Sequence, residues 1–364
     1  MTIRTYPSPE AFKQALEQRL RTSAKSGADF ARKRQLLVFD RFLARVVAVL
    51  GDAATLKGGL VLELRLERAR TTKDVDLRVV GSPDDILAKL QEAARRNLGD
   101  FVTFEVGPDE DHPEIQNDGM QYDGLRFRAE CKLAGKLYGQ RFGVDVAFGD
   151  PILGEPEVVV AEDVLAFAGI APPTLRLYPI ETHIAEKLHA YTMPRPRPNS
   201  RVKDLPDIAL LATAQTIDAK RLREALEQTF TFRKTHALPA AVPAPLPAWT
   251  TPYAAMAWED QLAWPTLDEV TKAAQTFLDP VLVHGGLDAT WEPGGWSWRL
   301  HSPQPGQETV HRHPSAPRLR GRAGAVTGPK RTFSAPPMSA GLESEARRTR
   351  APFGRTIPRR GSLA

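Results

Sequence analysis

The chain holds one cysteine, Cys131, in 364 residues. A single thiol closes no intramolecular disulfide and builds no multi-cysteine zinc site, so stapled scaffolds and zinc ribbons are excluded. Cys131 reads instead as a small buried hydrophobe. No apolar run approaches the ~20 residues that cross a bilayer, so no membrane partner is expected. The opening Met1-Thr2-Ile3-Arg4-Thr5-Tyr6-Pro7 lacks the apolar core of a secretory signal, which makes the cytoplasm the expected compartment. Two catalytic signatures are missing as well: the Gly-x-x-x-x-Gly-Lys-Ser/Thr phosphate loop and the Gly-x-Ser-x-Gly nucleophile elbow. His183 and His189 are six residues apart and point to different sides of a helix, which is wrong for a shared metal. No long-period repeat is present, so a solenoid is not indicated.

What remains is ordinary globular material. Hydrophobic residues make up 42% and charged residues 26%, and at roughly 150 residues per domain the length predicts about two domains. The net charge of +5 is unevenly placed. Residues 301–364 carry 12 Lys plus Arg against 3 Asp plus Glu, leaving 37 against 41, a net of −4, for residues 1–300. That basic tail is rich in Pro, Ser, Gly and Arg and poor in aliphatics, so it is expected to be disordered. It reads equally as a phosphate-contacting arm or as a passive extension.

Periodicity supplies the elements. Residues 8–22 and 28–50 read as helices, the second mixing an apolar face with Arg32, Arg34, Arg41 and Arg45. Lys57-Gly58-Gly59 precedes a helical stretch from Leu60 to Arg68, and Asp74 to Val80 alternates with period two as a half-buried strand. A helix over 83–97, a strand over 101–106 and a hairpin of 125–133 with 140–148 follow. Helices are predicted over 161–168, 181–191, 204–213, 219–228 and 267–282, with the proline-rich 237–248 as an extended linker. The predicted division is an N-terminal helical and catalytic lobe over 1–160, a helical lobe completing the site over 161–236, the linker 237–248, a C-terminal helical segment 249–300 and the tail 301–364.

The chemistry concentrates in carboxylates. Asp74 and Asp76 lie at i and i+2 of one strand, about 6.5–7 Å apart on one face, a span that hard divalent cations bridge. Asp145 takes the polar face of its own strand and completes the set if that strand pairs near theirs. A solvated strand face is the bland alternative. The glycines shift the balance: Gly58 and Gly59 lack Cβ atoms and let backbone N–H groups reach a phosphate at a positive helix end.

A glycine pair, a short helix and an Asp-x-Asp strand in that order resemble the nucleotidyltransferase superfamily. Pro179-Ile180-Glu181-Thr182-His183-Ile184-Ala185-Glu186-Lys187-Leu188-His189-Ala190 and Lys203-Asp204-Leu205-Pro206-Asp207 narrow the likeness. With Arg70-Thr71-Thr72-Lys73-Asp74-Val75-Asp76 and Val144-Asp145-Val146, they resemble the AbiEii/AbiGii-type toxins of abortive-infection toxin–antitoxin pairs over nearly all of residues 10–285. The resemblance implies an α/β (α+β) fold, with a nucleotidyltransferase-type mixed sheet, flanking helices, a helical C-terminal lobe and a disordered tail.

It also implies roles. Asp74, Asp76, Lys187 and Asp204 are the expected catalytic residues, Lys57, Gly58, Gly59 and Thr72 the nucleotide-binding group, and Asp74, Asp76 and Asp145 the metal ligands. Mg²⁺ or Mn²⁺ is the implied cofactor and an NTP the substrate. The implied partners are a cognate antitoxin and an RNA acceptor, tRNA in particular, served by basic residues Arg195, Arg197, Arg201 and Lys203 and by the arginines of the second helix. Lys187 also stands close to the apolar stripe of its helix and needs a partner, while N-capping alone would account for Asp204. One departure is Leu60, which stands where many relatives carry Thr or Ser. A small-molecule nucleotidyltransferase and a non-catalytic nucleotide- or RNA-binding module are the alternatives.

Overall fold

The computed structural model describes residues 5–66, 72–111, 124–195, 201–283 and 286–301. Arg70, Thr71, Arg197, much of the acidic loop and the basic tail from residue 302 lie outside them. Helix α1 (Pro9–Ser23) starts where the Ser8 hydroxyl accepts the Ala11 N–H, and it buries Phe12, Leu16 and Leu20. Helix α2 (Gly27–Leu50) is capped by Ser26 and buries Leu37, Val38, Phe42 and Val46. Strand β1 (Ala54–Lys57) then runs directly into helix α3 (Gly58–Arg65), and strand β2 (Asp74–Val79) follows. Helix α4 (Ile86–Arg95) and strands β3 (Val102–Pro108), β4 (Gly124–Leu133), β5 (Lys136–Leu137), β6 (Phe142–Phe148), β7 (Glu157–Val160) and β8 (Thr174–Leu177) complete the first lobe. The second lobe comprises α5 (Ile180–Thr192), α6 (Asp204–Ala214), β9 (Ile217–Asp218), α7 (Ala219–Arg233), α8 (Thr250–Glu259), α9 (Leu267–Val283), β10 (Ala289–Glu292) and β11 (Ser297–Leu300).

The fold is α/β. Its main sheet has the order β3-β4-β6-β2-β1-β8-β7, with β5 paired to β4. It is mixed: β2 runs parallel to β6 and β1 parallel to β8, while β1–β2, β4–β6, β3–β4 and β7–β8 are antiparallel. One core unites α1, α2 and α4 with the sheet through residues such as Phe42, Val75, Leu77, Val144 and Val146. A second unites α5, α6, α7, α8 and α9 around Ile184, Leu188, Ile208, Phe277 and Trp291. Helix α3 belongs to both, since Leu60 and Val61 enter the first core and Leu62 the second. Among the described residues, no helix is long and apolar enough to cross a membrane.

Several expectations are corrected. Residues 161–168 form no α-helix: Ala161 donates its N–H to Pro173 and only a short turn, Ala166–Ala168, coils before left-handed Gly169. Val164, Leu165 and Phe167 mimic helical spacing because they are loop residues turned into the first core. The sheet therefore extends to Leu177, past the expected boundary at 160. Residues 237–248 are extended but packed, with Val242 buried, its N–H bound to Asp279 and its carbonyl to Gln275. The segment 249–300 adds a hairpin of β10 and β11 to its two helices, pinned by Trp291, whose indole N–H donates to the Ala212 carbonyl.

The cationic face assigned to α2 is corrected as well. Arg41 and Arg45 are buried against Asp100, which receives Arg45 Nη2 at 2.6 Å, Arg45 Nη1 at 2.9 Å and Arg41 Nε at 2.8 Å. Arg32 binds Glu63 at 3.0 Å and Arg34 stands 3.9 Å from Glu17. Arg41 and Arg45 therefore fasten α2 to the lobe from its interior and present no cationic surface, whereas Arg32 and Arg34 stay partly exposed.

Burial works against ionisation of Asp100, but hydrogen bonds and charge from Arg45 and Arg41 hold it below the usual carboxylate range. A group depressed in the folded state stabilises fully above its unfolded pKa of about 3.9, and that contribution fades as pH falls through the folded value. Asp100→Asn strands two buried guanidinium groups and is expected to destabilise the protein by about 3–5 kcal/mol at neutral pH. Urea denaturation across the acid range should also show a shallower pH dependence in the variant.

Candidate active site

The site forms where β1, β2 and β6 lie side by side. The alternation of β2 sends Val75, Leu77 and Val79 into the core and turns Asp74 and Asp76 to the opposite face. Register places Asp145 of β6 directly across from Asp76, and Gly143 across from Asp74. On the other side, Lys57 of β1 pairs with Asp76. Residues in register share one sheet face with Cβ atoms roughly 4.5–5.5 Å apart, so the two lines of the sheet bring Asp74, Asp76 and Asp145 together.

Two glycines make this approach possible. Gly58 has φ +69°, and a Cβ there would lie 1.9 Å from Asp76 Oδ2. A Cβ at Gly143 would lie 2.7 Å from Asp74 Oδ1, which instead accepts the Gly143 N–H at 3.2 Å. Lys57, Gly58 and Gly59 thus bend the chain over Asp76 as α3 begins. Leu60, the departure from the expected hydroxyl, is buried in the first core.

Asp76 is half-buried and Asp74 exposed. Burial, followed by the charge of Asp145, pushes the Asp76 carboxyl up to about 6, while Lys57 and Lys187 pull it down. Neither Asp74 nor Asp76 is ion-paired to a lysine or arginine among the described residues. Asp145 is differently placed: Arg126 of β4 holds both its oxygens, Nε to Oδ1 at 2.7 Å and Nη2 to Oδ2 at 2.7 Å. Among the described residues, no group of three His, Cys, Asp or Glu side chains is close enough to hold a metal ion. Asp74 and Asp76 still present hard carboxylate oxygens to an open face, a donor type that fits Mg²⁺ or Mn²⁺.

The remaining expected residues fall into three groups. Thr72 is buried, donates its N–H to Glu63 at 2.6 Å and its hydroxyl to the Asp74 carbonyl at 3.4 Å. Lys57 reaches across the lobes to Asp150 at 2.6 Å and Glu186 at 3.1 Å, both of which also bind Arg233. Lys187 donates to Asp207 at 2.6 Å and, more loosely, to Asp204 at 3.5 Å. Asp204 is the first residue of α6 and caps nothing; its Oδ2 has no hydrogen-bond donor, with Arg201 at 3.9 Å. His183 is buried with neither ring nitrogen bonded, and burial followed by Lys187 holds it neutral, well below the usual histidine range.

Sequence reasoning missed Glu63, Arg126, Asp150, Glu186, Asp207 and Arg233 as site residues. The polar alternation of β4 is a signal for Arg126, and Lys-Asp-Leu-Pro-Asp contains Asp207. The others meet only through folding, as Asp150 and Arg233 stand 83 residues apart.

The profile of the family described as "Nucleotidyl transferase AbiEii toxin, Type IV TA system" matches residues 41–277. MenT4, a nucleotidyltransferase toxin from Mycobacterium tuberculosis H37Rv, is similar in structure at 17% identity, covering 59% of this chain and 68% of its own with a TM-score of 0.42. JHP933 from Helicobacter pylori is similar at 17% identity, covering 55% of this chain and 80% of its own with a TM-score of 0.34. No curated protein matches the chain.

The contact between Gly58 and Asp76 generates a test. Gly58→Ala adds a Cβ in a left-handed conformation and drives it into the Asp76 carboxylate. The variant is expected to lose about 1–3 kcal/mol in urea denaturation from strain and overpacking. Gly286→Ala, at a position with open space, should lose little by comparison.

Proposed function

The chain belongs to the AbiEii family of nucleotidyl transferase toxins of type IV toxin–antitoxin systems, and on that premise we propose that it transfers a nucleotide from an NTP to the 3′-hydroxyl of an RNA, with tRNA the first candidate. The observation that supports this reading is the seating of Asp76 beneath the Gly58 bend at the start of α3, with Asp74 on the same strand face. In the reaction the acceptor oxygen bonds to the α-phosphorus, the bond to the bridging oxygen breaks, and pyrophosphate leaves.

Asp74 and Asp76 are the residues that would hold Mg²⁺ or Mn²⁺, which when bound polarises phosphoryl oxygens and offsets the triphosphate charge. The N–H groups of Gly58 and Gly59, at the positive end of α3, are the donors offered to phosphate oxygens, beside the Asp76 carboxylate that the missing Cβ of Gly58 admits. Thr72 and Glu63 fix the backbone from which Asp74 projects. Lys187, steadied by Asp207, brings a positive charge from the helical lobe toward Asp76. Arg201 and Lys203 beside Asp204, and Arg195 at the end of α5, supply cationic charge for RNA phosphates, a role that buried Arg41 and Arg45 do not share. The proposal includes neutralisation by a cognate antitoxin, action in the cytoplasm and a part in abortive phage infection.

Incubation of the purified chain with tRNA, Mg²⁺ and each labelled NTP tests it. Label should enter RNA with the wild type and fall by roughly 10²-fold or more with Asp76→Asn. Absence of label from tRNA and from total cellular RNA, with a folded protein verified by circular dichroism, would overturn the reading.

A further inference from the structure

Register lines up four charges across four adjacent strands: Arg126 of β4, Asp145 of β6, Asp76 of β2 and Lys57 of β1. The order is cation, anion, anion, cation. The outer cations differ in what they do. Lys57 leans away from the row to Asp150 and Glu186. Arg126 turns into the row and grips Asp145 through two parallel bonds of 2.7 Å. In the neighbouring line, Arg128 occupies the place equivalent to Arg126, but it faces Gly143 and pairs with Asp109 at 3.0 Å and Asp111 at 2.8 Å. Asp74 therefore has no such guanidinium, and Asp145 does.

A two-ion phosphoryl-transfer site needs a carboxylate set that can bridge both cations. Here one candidate bridge is occupied by a planar fork that matches the carboxylate in both direction and charge. We infer that Arg126 takes the part of a second cation at Asp145, so that the protein binds one divalent ion, on Asp74 and Asp76, and uses Asp145 to orient Arg126 and not as a metal ligand. The inference rests on the reading of Asp74 and Asp76 as the metal pair. The surroundings of Asp145 agree with it. Asp145 keeps neither oxygen clear of Arg126. The described residues contain no three-ligand cluster. Arg126 is one-third exposed, with a side-chain accessibility of 35%, so it lies at the site and is not an interior strut.

Titration of the nucleotide-free full chain with Mn²⁺, followed by electron paramagnetic resonance, counts the ions. The wild type is expected to bind one. Arg126→Gln with Asp145→Asn removes opposite charges together and should leave one ion bound, its affinity within about threefold of the wild type, whereas Asp76→Asn should weaken binding roughly tenfold or more. Arg126→Gln alone, which leaves Asp145 unpaired, should admit a second ion. Two ions on the wild type, or a double variant weakened as much as Asp76→Asn, would overturn the inference while leaving the metal pair standing. No Mn²⁺ bound by the wild type, even with a non-hydrolysable NTP analogue, would remove the metal pair itself. Where a variant does not fold, the wild-type count decides.

Discussion

Carboxylates brought within one strand spacing repel, and the centre of this protein is arranged around that repulsion. Asp76 has Asp145 on one side, in register, and Asp74 two residues away. Burial first, and then the charge of Asp145, disfavour ionisation of Asp76 and push its carboxyl upward. The fold answers from three directions. Arg126 binds Asp145, Lys57 stands beside Asp76 on the next strand, and Lys187 approaches from the helical lobe. None of these cations is ion-paired to Asp74 or Asp76. The pair is balanced at a distance and bridged by none of these cations.

That balance depends on both lobes. Lys57 and Asp150 carry the sheet's end of an ion-pair cluster whose other members, Glu186 and Arg233, come from α5 and α7. Lys187 and its partner Asp207 come from α5 and α6. Helix α3 ties the halves mechanically, with Leu60 and Leu62 in different cores. The glycine bend, the first turn of that helix and the carboxylate strand are consequently anchored to both cores. Glu63 strengthens the same unit, since its buried carboxylate receives Arg32 from α2 and the N–H of Thr72.

The sequence was legible where chemistry repeats over short distances. Period-two alternation identified β2 and β6, and the polar faces of those strands identified Asp74, Asp76 and Asp145 as candidates. The glycine pair pointed to a close approach before any coordinate fixed what approached it. Short strands were not legible: β7, β8, β10 and β11 have four residues each and sit among prolines and glycines. Arginines were misread when their partners were remote. Arg41 and Arg45 spell a basic helix face until Asp100, 59 and 55 residues away, folds over them. Lys57 likewise has ion-pair partners 93 and 129 residues downstream, which no local pattern announces. Local pattern reports what a residue is and which way it faces; ion pairing across the chain is set by topology.

The row from Arg126 to Lys57 also bears on how the sheet comes together. If β6 slipped by one residue against β2, Val144 or Val146 would stand across from Asp76, and Asp145 would turn into the apolar interior. An unpaired carboxylate there is prohibitive, so misaligned sheets are penalised while the aligned one gathers its opposite charges. The acidic strands thus proofread their own assembly: a chain that has reached the correct alignment has, by that fact, already gathered Asp74, Asp76 and Asp145 on one face.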